Sequence, residues 1–333
     1  METNTVIDSD GSLASKRVVV TGGRGFLGQH ACHALEGCGA TVVATGSSDF
    51  DLTQQDEVRR LFGTLKPDIV VHLAAACGGI GANVKNPGRF LYENAIMGLM
   101  LLDEARRAEL NKLVLISTTC AYPKDAPLPL REASIWAGKP VGATGPYGMA
   151  KRLLHEACET YGRQYGLDTT VLVPTNLYGP GDHFEEEKSH VIPAIIRRFV
   201  EAQDAGLKEV VNWGSGTPTR EFLHVRDAAR SIALAAAVKT GPDPINLGTG
   251  VETSIADLTM TIAQAVGYTG SLSWDTSKPD GQPQRYLDVS RARERLGFEA
   301  TIQLDEGIAE TVAWYRRLYR GESGVGSRAS SRG

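Results

Sequence analysis

A chain of 333 residues, 42% hydrophobic and 22% charged, has the length of one large α/β domain or of a large and a small one. A net charge of −4 with no lysine- or arginine-rich run argues against nucleic acid or an anionic membrane as partner. Five cysteines with no CxxC pair and no Cys/His cluster argue against a metal site or a disulfide framework and point to reduced thiols in a cytoplasmic protein.

Residues 1–15 are polar and acidic and lack the basic start and apolar stretch of a signal peptide; with 321–333 they read as disordered tails. No apolar run reaches the roughly 18 residues of a membrane span. From residue 16, β-branched apolar runs alternate with segments of helical period. Strands are predicted at 17–21, 40–45, 68–74, 113–117 and 169–174, and helices from the glycine turn to about 37 and at 56–65, 90–108 and 148–165. Short apolar strands separated by helices predict a doubly wound parallel α/β sheet, Rossmann-like, with ligands beyond the carboxyl ends of its strands. After Pro174 the alternation breaks: a loop over 178–188, a helix over 191–202, a short strand over 209–213, and helices at 255–266, 291–296 and 304–319. The expected organisation is a dinucleotide-binding domain over 16–178, with 221–250 contributing, and a smaller substrate-binding lobe from 179–220 and 251–320.

VVVTGGRGFLG at 18–28 places Gly22, Gly25 and Gly28 between a strand and a helix. That spacing suits a tight turn, close approach of a pyrophosphate, and close packing of helix on strand, so Gly22, Gly23, Arg24, Gly25, Phe26, Leu27 and Gly28 are cofactor candidates. The second strand ends in ATGSS, with no carboxylate before Asp49, while Arg24 is placed to meet a 2′-phosphate. This favours NADP(H), with NAD(H) as the alternative, and brings in Ser47. Asp51 and Leu52 follow where an acid can reach adenine; Ala74 and Ala75 end the next strand with room for a ligand, and His72 reads as a core histidine. Tyr147 and Lys151 form a YxxxK pair on one helix face, where an ammonium is expected to lower the phenol pKa. Thr118, just past a strand, offers a hydroxyl to the same substrate oxygen.

Further segments are GGIGAN (78–83), TTCAYPK (118–124), PTNLYGP (174–180), SHVIP (189–193), WGSGTPTREFLHV (213–225) and KPDG (278–281). On these the chain resembles the extended short-chain dehydrogenases/reductases, and within them the GDP-L-fucose synthase family, from about residue 17 to 319. The resemblance implies 3,5-epimerisation of a GDP-4-keto-6-deoxysugar followed by 4-reduction with NADPH. It casts Cys120 and His190 as the base and acid at carbons 3 and 5, Tyr147 as proton donor, and Lys151 as the group holding the nicotinamide ribose. It also implies cofactor contacts at Pro174, Thr175, Asn176, Leu177 and His190, and nucleotide-sugar contacts at Asn83, Asn176, Arg198, Trp213, Arg220, Asp280 and Arg285. A homodimer formed through the helix of Tyr147 is implied as well. Cys32, Cys38 and Cys158 keep a structural reading, and Cys77 stays open. The chain departs from the family pattern at Thr118, where serine is usual, at Thr45 and Ser47, where arginines are frequent, and over 125–144, which includes Trp136. Two other readings are an epimerase without net reduction and a non-catalytic dinucleotide sensor; the latter has no need of the YxxxK pair.

Overall fold

The run RVVVT forms β1 (Arg17–Thr21) because its valines fit a pleated surface covered on both faces; Val18, Val19 and Val20 are fully buried. In the computed structural model, which describes residues 13–185, 189–278 and 280–319, the chain continues through α1 (Phe26–Gly37), β2 (Thr41–Thr45), α2 (Gln55–Leu65) and β3 (Ile69–His72). Next come α3 (Ile80–Lys85), α4 (Pro87–Arg107), β4 (Lys112–Ile116), α5 (Gly145–Tyr165) and β5 (Thr169–Pro174). The second half runs β6 (Asn176–Tyr178), α6 (Val191–Asp204), β7 (Glu209–Trp213), β8 (Thr219–Arg220), β9 (Phe222–His224) and α7 (Val225–Ala237). It ends with β10 (Ile245–Leu247), β11 (Thr253–Ser254), α8 (Ile255–Val266), β12 (Ser271–Asp275), α9 (Ser290–Leu296) and α10 (Leu304–Tyr319).

Six strands form one parallel sheet in the order β10-β5-β4-β3-β1-β2. The chain steps outward from β1 to β2, then returns to the other side of β1 with β3 and builds away from it. That reversal opens a crevice above the carboxyl ends of β1 and β3, the position at which such sheets bind ligands. Leu35 of α1, Ile232 of α7 and Leu296 of α9 cover one face; Leu61 of α2, Leu101 of α4 and Leu154 of α5 cover the other. Each such side chain contributes about 1.5–3 kcal/mol by leaving water. A separate core, with Phe199 of α6, Ile262 of α8 and Tyr315 of α10, holds the lobe. The lobe is edged by the two-stranded pairs β7 with β12 and β8 with β11.

The expected doubly wound sheet is present, with differences in detail. α7 and β10, not anticipated as elements, cover and extend the sheet, and α3, β6, β8, β9, β11 and β12 were also unread. Leu13, inside the stretch expected to be a tail, is buried at 2% exposure against the α1 side of the sheet; residues 1–12 and 321–333 lie outside the described residues. Among the described residues no helix is long and apolar enough to cross a membrane.

Candidate active site

The glycine turn is defined by what it leaves out. Gly22 has φ +71°, and a Cβ there would stand 2.8 Å from the backbone nitrogen of Ala74. A Cβ on Gly28 would strike the Gly22 carbonyl and sit 2.7 Å from the Gly23 backbone, so the third glycine lets α1 lie directly on the turn. Gly25 is the N-cap of α1 and offers no side chain, and the first turn carries no acidic residue. The leading amides of α1, from Phe26 and Leu27 onward, are left to an anion above β1. This cradle fits the pyrophosphate of a dinucleotide.

Around it the anticipated residues behave differently from one another. Arg24 reaches the end of β2, its Nη2 2.8 Å from Asp49 Oδ2. Ser47 is exposed beside it. Asp51 accepts from the backbone and hydroxyl of Thr53 at 3.0 and 2.7 Å, while Leu52 packs in the core, so only the Leu52 backbone remains for a ligand. His72 is a core residue as anticipated: its Nδ1 lies 2.8 Å from Thr21 Oγ1, and burial, with Lys151 nearby, pulls it down to about 3. Ala74 and Ala75 are half-buried at the crevice.

The reacting groups are brought together by another missing side chain. Gly148 of α5 presses on the Cys120 carbonyl, whose carbon an added Cβ would approach to 2.8 Å. Cys120 stands in a single 3₁₀ turn, Thr119–Ala121, capped by Thr118, whose Oγ1 accepts from the Cys120 amide at 3.2 Å. Tyr147 therefore lies beside the segment carrying Thr118 and Cys120. Lys151, one turn on, is 2% exposed and donates to the Ile116 carbonyl at 2.9 Å, with Nζ 5.9 Å from the Tyr147 ring centre. Burial holds the Lys151 ammonium down to about 8. One expectation is overturned here: the Tyr147 phenol is raised, first by burial and then by Cys77 and Cys120, and the Lys151 charge does not offset this. Cys77, an exposed residue, adjoins the same group: partial loss of water around its thiol raises it, opposed by the Lys151 charge.

Beyond β5 a cavity of about 250 Å³ is walled by Asn176, Leu177, His190, Arg220, Phe222 and Ile255. His190 occupies the N-cap position of α6 without making a side-chain cap; the residue is exposed at the mouth of the cavity, yet partial loss of water around its ring, with His183 nearby, lowers its pKa. Three half-buried guanidiniums belong to this lobe, and among the described residues their side-chain hydrogen bonds go to neutral acceptors. Arg198 donates to Asn212 Oδ1 at 3.0 Å. Arg220 donates to the Gln282 carbonyl at 2.6 Å, and Arg285 to Gln282 Oε1 at 2.9 Å and to the Thr119 carbonyl. Arg220 and Arg285 are lowered chiefly by burial, and Arg220 further by the charge of Arg285, so two like charges stand close together here. Trp213 is 70% exposed with the Lys278 ammonium 5.8 Å from its ring centre, leaving an aromatic face open. Asp280 accepts from the amide and hydroxyl of Ser215 at 2.8 and 2.7 Å, which ties its loop to the turn after Trp213.

Three anticipated residues make framework contacts. Asn83, 4% exposed, turns its amide nitrogen onto the carbonyls of Gly78 and Gly79 at 2.8 and 3.1 Å, shaping that loop. Thr175 donates to the Glu221 carbonyl at 3.1 Å, and Pro174 only ends β5. Glu221 itself was missed. Its buried carboxylate accepts from Gly250 and Leu287 amides at 2.7 and 2.8 Å, and its carbonyl accepts from Asn176 Nδ2 at 3.0 Å. Burial lifts it to about 6 against those bonds. Only its place after Arg220 in TREF could have drawn attention to it.

A glycine cradle at the switch point of a parallel sheet, with a Thr/Tyr/Lys centre beside it, defines a nicotinamide-dependent enzyme of the epimerase and reductase type. Residues 18–248 match the NAD dependent epimerase/dehydratase family, and the chain belongs to it. It is 41% identical over 313 residues to GDP-L-fucose synthase of Escherichia coli (strain K12), covering 91% of this chain and 97% of that one. It is 39% identical over 320 residues to "Probable GDP-L-fucose synthase 1" of Oryza sativa subsp. japonica, covering 95% and 97%. Among solved structures, a GDP-L-fucose synthetase from Naegleria fowleri bound to NADP superimposes with a TM-score of 0.85 at 30% identity, over 92% of this chain and 94% of that one.

Proposed function

We propose that the protein is a cytosolic epimerase-reductase that converts GDP-4-keto-6-deoxymannose to GDP-L-fucose, or makes a closely related GDP-deoxysugar, with NADPH as donor. The observation that carries this reading is the pair Arg220 and Arg285, two half-buried cations that share Gln282 as a neutral acceptor, with Arg220 also lining the cavity that holds His190. Such a group suits a diphosphate, which supplies the missing negative charge through paired hydrogen bonds. The open face of Trp213 suits a stacked base.

A ketone at carbon 4 acidifies the protons on carbons 3 and 5, and their inversion needs one group to take a proton and another to give one on the opposite face. Cys120 and His190 fill these roles. The His190 imidazole leans to its neutral form in the free protein, and the charge of the incoming diphosphate favours the protonated form that can donate. Bound NADPH supplies hydride to carbon 4. Tyr147 gives its phenolic proton to the oxygen there, a role served by a raised pKa, since the phenol stays protonated until the oxyanion forms. Thr118 hydrogen-bonds the same oxygen, and Lys151 holds the nicotinamide ribose and recharges Tyr147.

The expected result with purified protein and GDP-4-keto-6-deoxymannose in heavy water is NADPH oxidation together with deuterium at carbons 3 and 5. Absence of both with folded protein sinks the reading; label without oxidation means an epimerase alone. Leu91 and Tyr92 of α4 and Met149 and Leu153 of α5, all exposed, support a homodimer through these helices, to be checked by sedimentation.

A further inference from the structure

How the protein tells its two candidate dinucleotides apart is settled at the 2′ position of the adenosine ribose. A carboxylate at the end of β2 accepts from the 2′-hydroxyl of NAD(H); an arginine there pairs with the 2′-phosphate of NADP(H). This chain has both, and they are bonded to each other. β2 ends at Thr45, and the following turn brings Asp49 back so that its Oδ2 accepts from the Gly46 amide at 2.8 Å. The carboxylate thus stands at the strand end although it lies four residues further along the chain. Arg24, from the glycine turn, meets the same oxygen at 2.8 Å, and its Nη1 lies 3.5 Å from Ser48 Oγ. Gly46 places no side chain between them: a Cβ there would stand 3.8 Å from Arg24 Nη1 and 3.9 Å from Asp49 Oδ2. The two side chains are 58% and 30% exposed, so a ligand reaches both from the solvent side. Arg60 of α2 donates to the Asp49 carbonyl, but its charge is already matched by Glu57.

We propose that the Arg24–Asp49 pair is a cofactor selector that admits both NADPH and NADH, with Asp49 holding the preference for NADPH down. The proposal rests on the nicotinamide reading above. A ribose hydroxyl donates to Asp49 and leaves the pair intact. A 2′-phosphate has to draw Arg24 away or share it, with a dianion then beside a carboxylate; Ser47 and Ser48 hydroxyls are its compensating donors. An ion pair this exposed is weak, so the exchange is easy in either direction and the two affinities lie within about tenfold of each other.

The test is direct binding of NADPH, NADH and 2′,5′-ADP to the full chain by calorimetry at low salt, without sugar substrate. Asp49→Asn keeps the bond from Gly46 through its amide oxygen and removes only the charge. It is expected to lower the NADPH and 2′,5′-ADP dissociation constants about five- to tenfold and to leave NADH within about twofold. Arg24→Met is expected to weaken NADPH by more than about tenfold and NADH by less than about threefold. Unchanged NADPH affinity in Asp49→Asn overturns the proposal, as does a wild-type preference for NADPH well above about tenfold, since Asp49 is then not holding it down. If folded protein, checked by circular dichroism, binds neither dinucleotide, the nicotinamide reading itself is lost and the selector with it.

Discussion

Under the proposed function, the glycine turn over β1 and the arginine group of the lobe specify their ligands on opposite terms. At Gly22 and Gly28 the structure works by leaving atoms out, since a single methyl would meet backbone at 2.8 Å or less. In the lobe it works by adding charge, with Arg198, Arg220 and Arg285 sharing the task through bonds to neutral acceptors. Steric exclusion fails abruptly when one residue changes, whereas a field spread over three cations weakens in steps.

If that division holds, Tyr147→Phe has the largest effect: reduction slows about 10²–10⁴-fold while NADPH and GDP affinities hold. Stopped-flow NADPH absorbance and calorimetry separate the two, and an equal loss of binding contradicts a purely chemical role. Arg220→Met comes next, raising KM for the GDP-sugar about 10–100-fold with NADPH affinity untouched. A matching loss of NADPH affinity would merge the two regions into one. Gly28→Ala inverts that pattern. Overpacking costs about 1–3 kcal/mol, a Tm lower by roughly 2–10 °C, with NADPH binding weakened and GDP binding kept. The smallest effect is on pH. Lys151 loses its charge as pH rises through about 8, so the alkaline limb of the reduction rate falls near there. Lys151→Arg, which stays charged, moves that limb up by more than about one unit; a limb that stays put belongs to another group.

The same contrast decided what the sequence disclosed. The parallel sheet and its glycine turn were legible because local pattern specifies them: RVVVT must be a buried strand, and three glycines between strand and helix leave few other readings. Helices α8 and α10 were read to the residue for the same reason. The three-residue strands β6 and β9 pair only with each other across 46 positions, as Asn176 with Phe222, and carry no periodicity of their own. α7, alanine-rich and strongly helical, went unread because the alternation had already broken before it. Arg220 and Arg285 meet through Gln282, and Asp49 returns to Gly46, only after folding. Resemblance supplied the first two, and nothing in the sequence supplied the third. The Tyr147 pKa was misjudged because YxxxK spacing shows the ammonium and hides the burial that outweighs it.

Gly148 fastens α5 to the carbonyl of Cys120, and Tyr147 is the residue immediately before it. Under the proposed chemistry, the sulfur that scrambles stereochemistry and the phenol that quenches the ketone then ride on one inflexible mount. A hexose inverted at its neighbouring carbons has no distance to travel before it is reduced, and a labile keto intermediate has little occasion to escape into solvent between the two events.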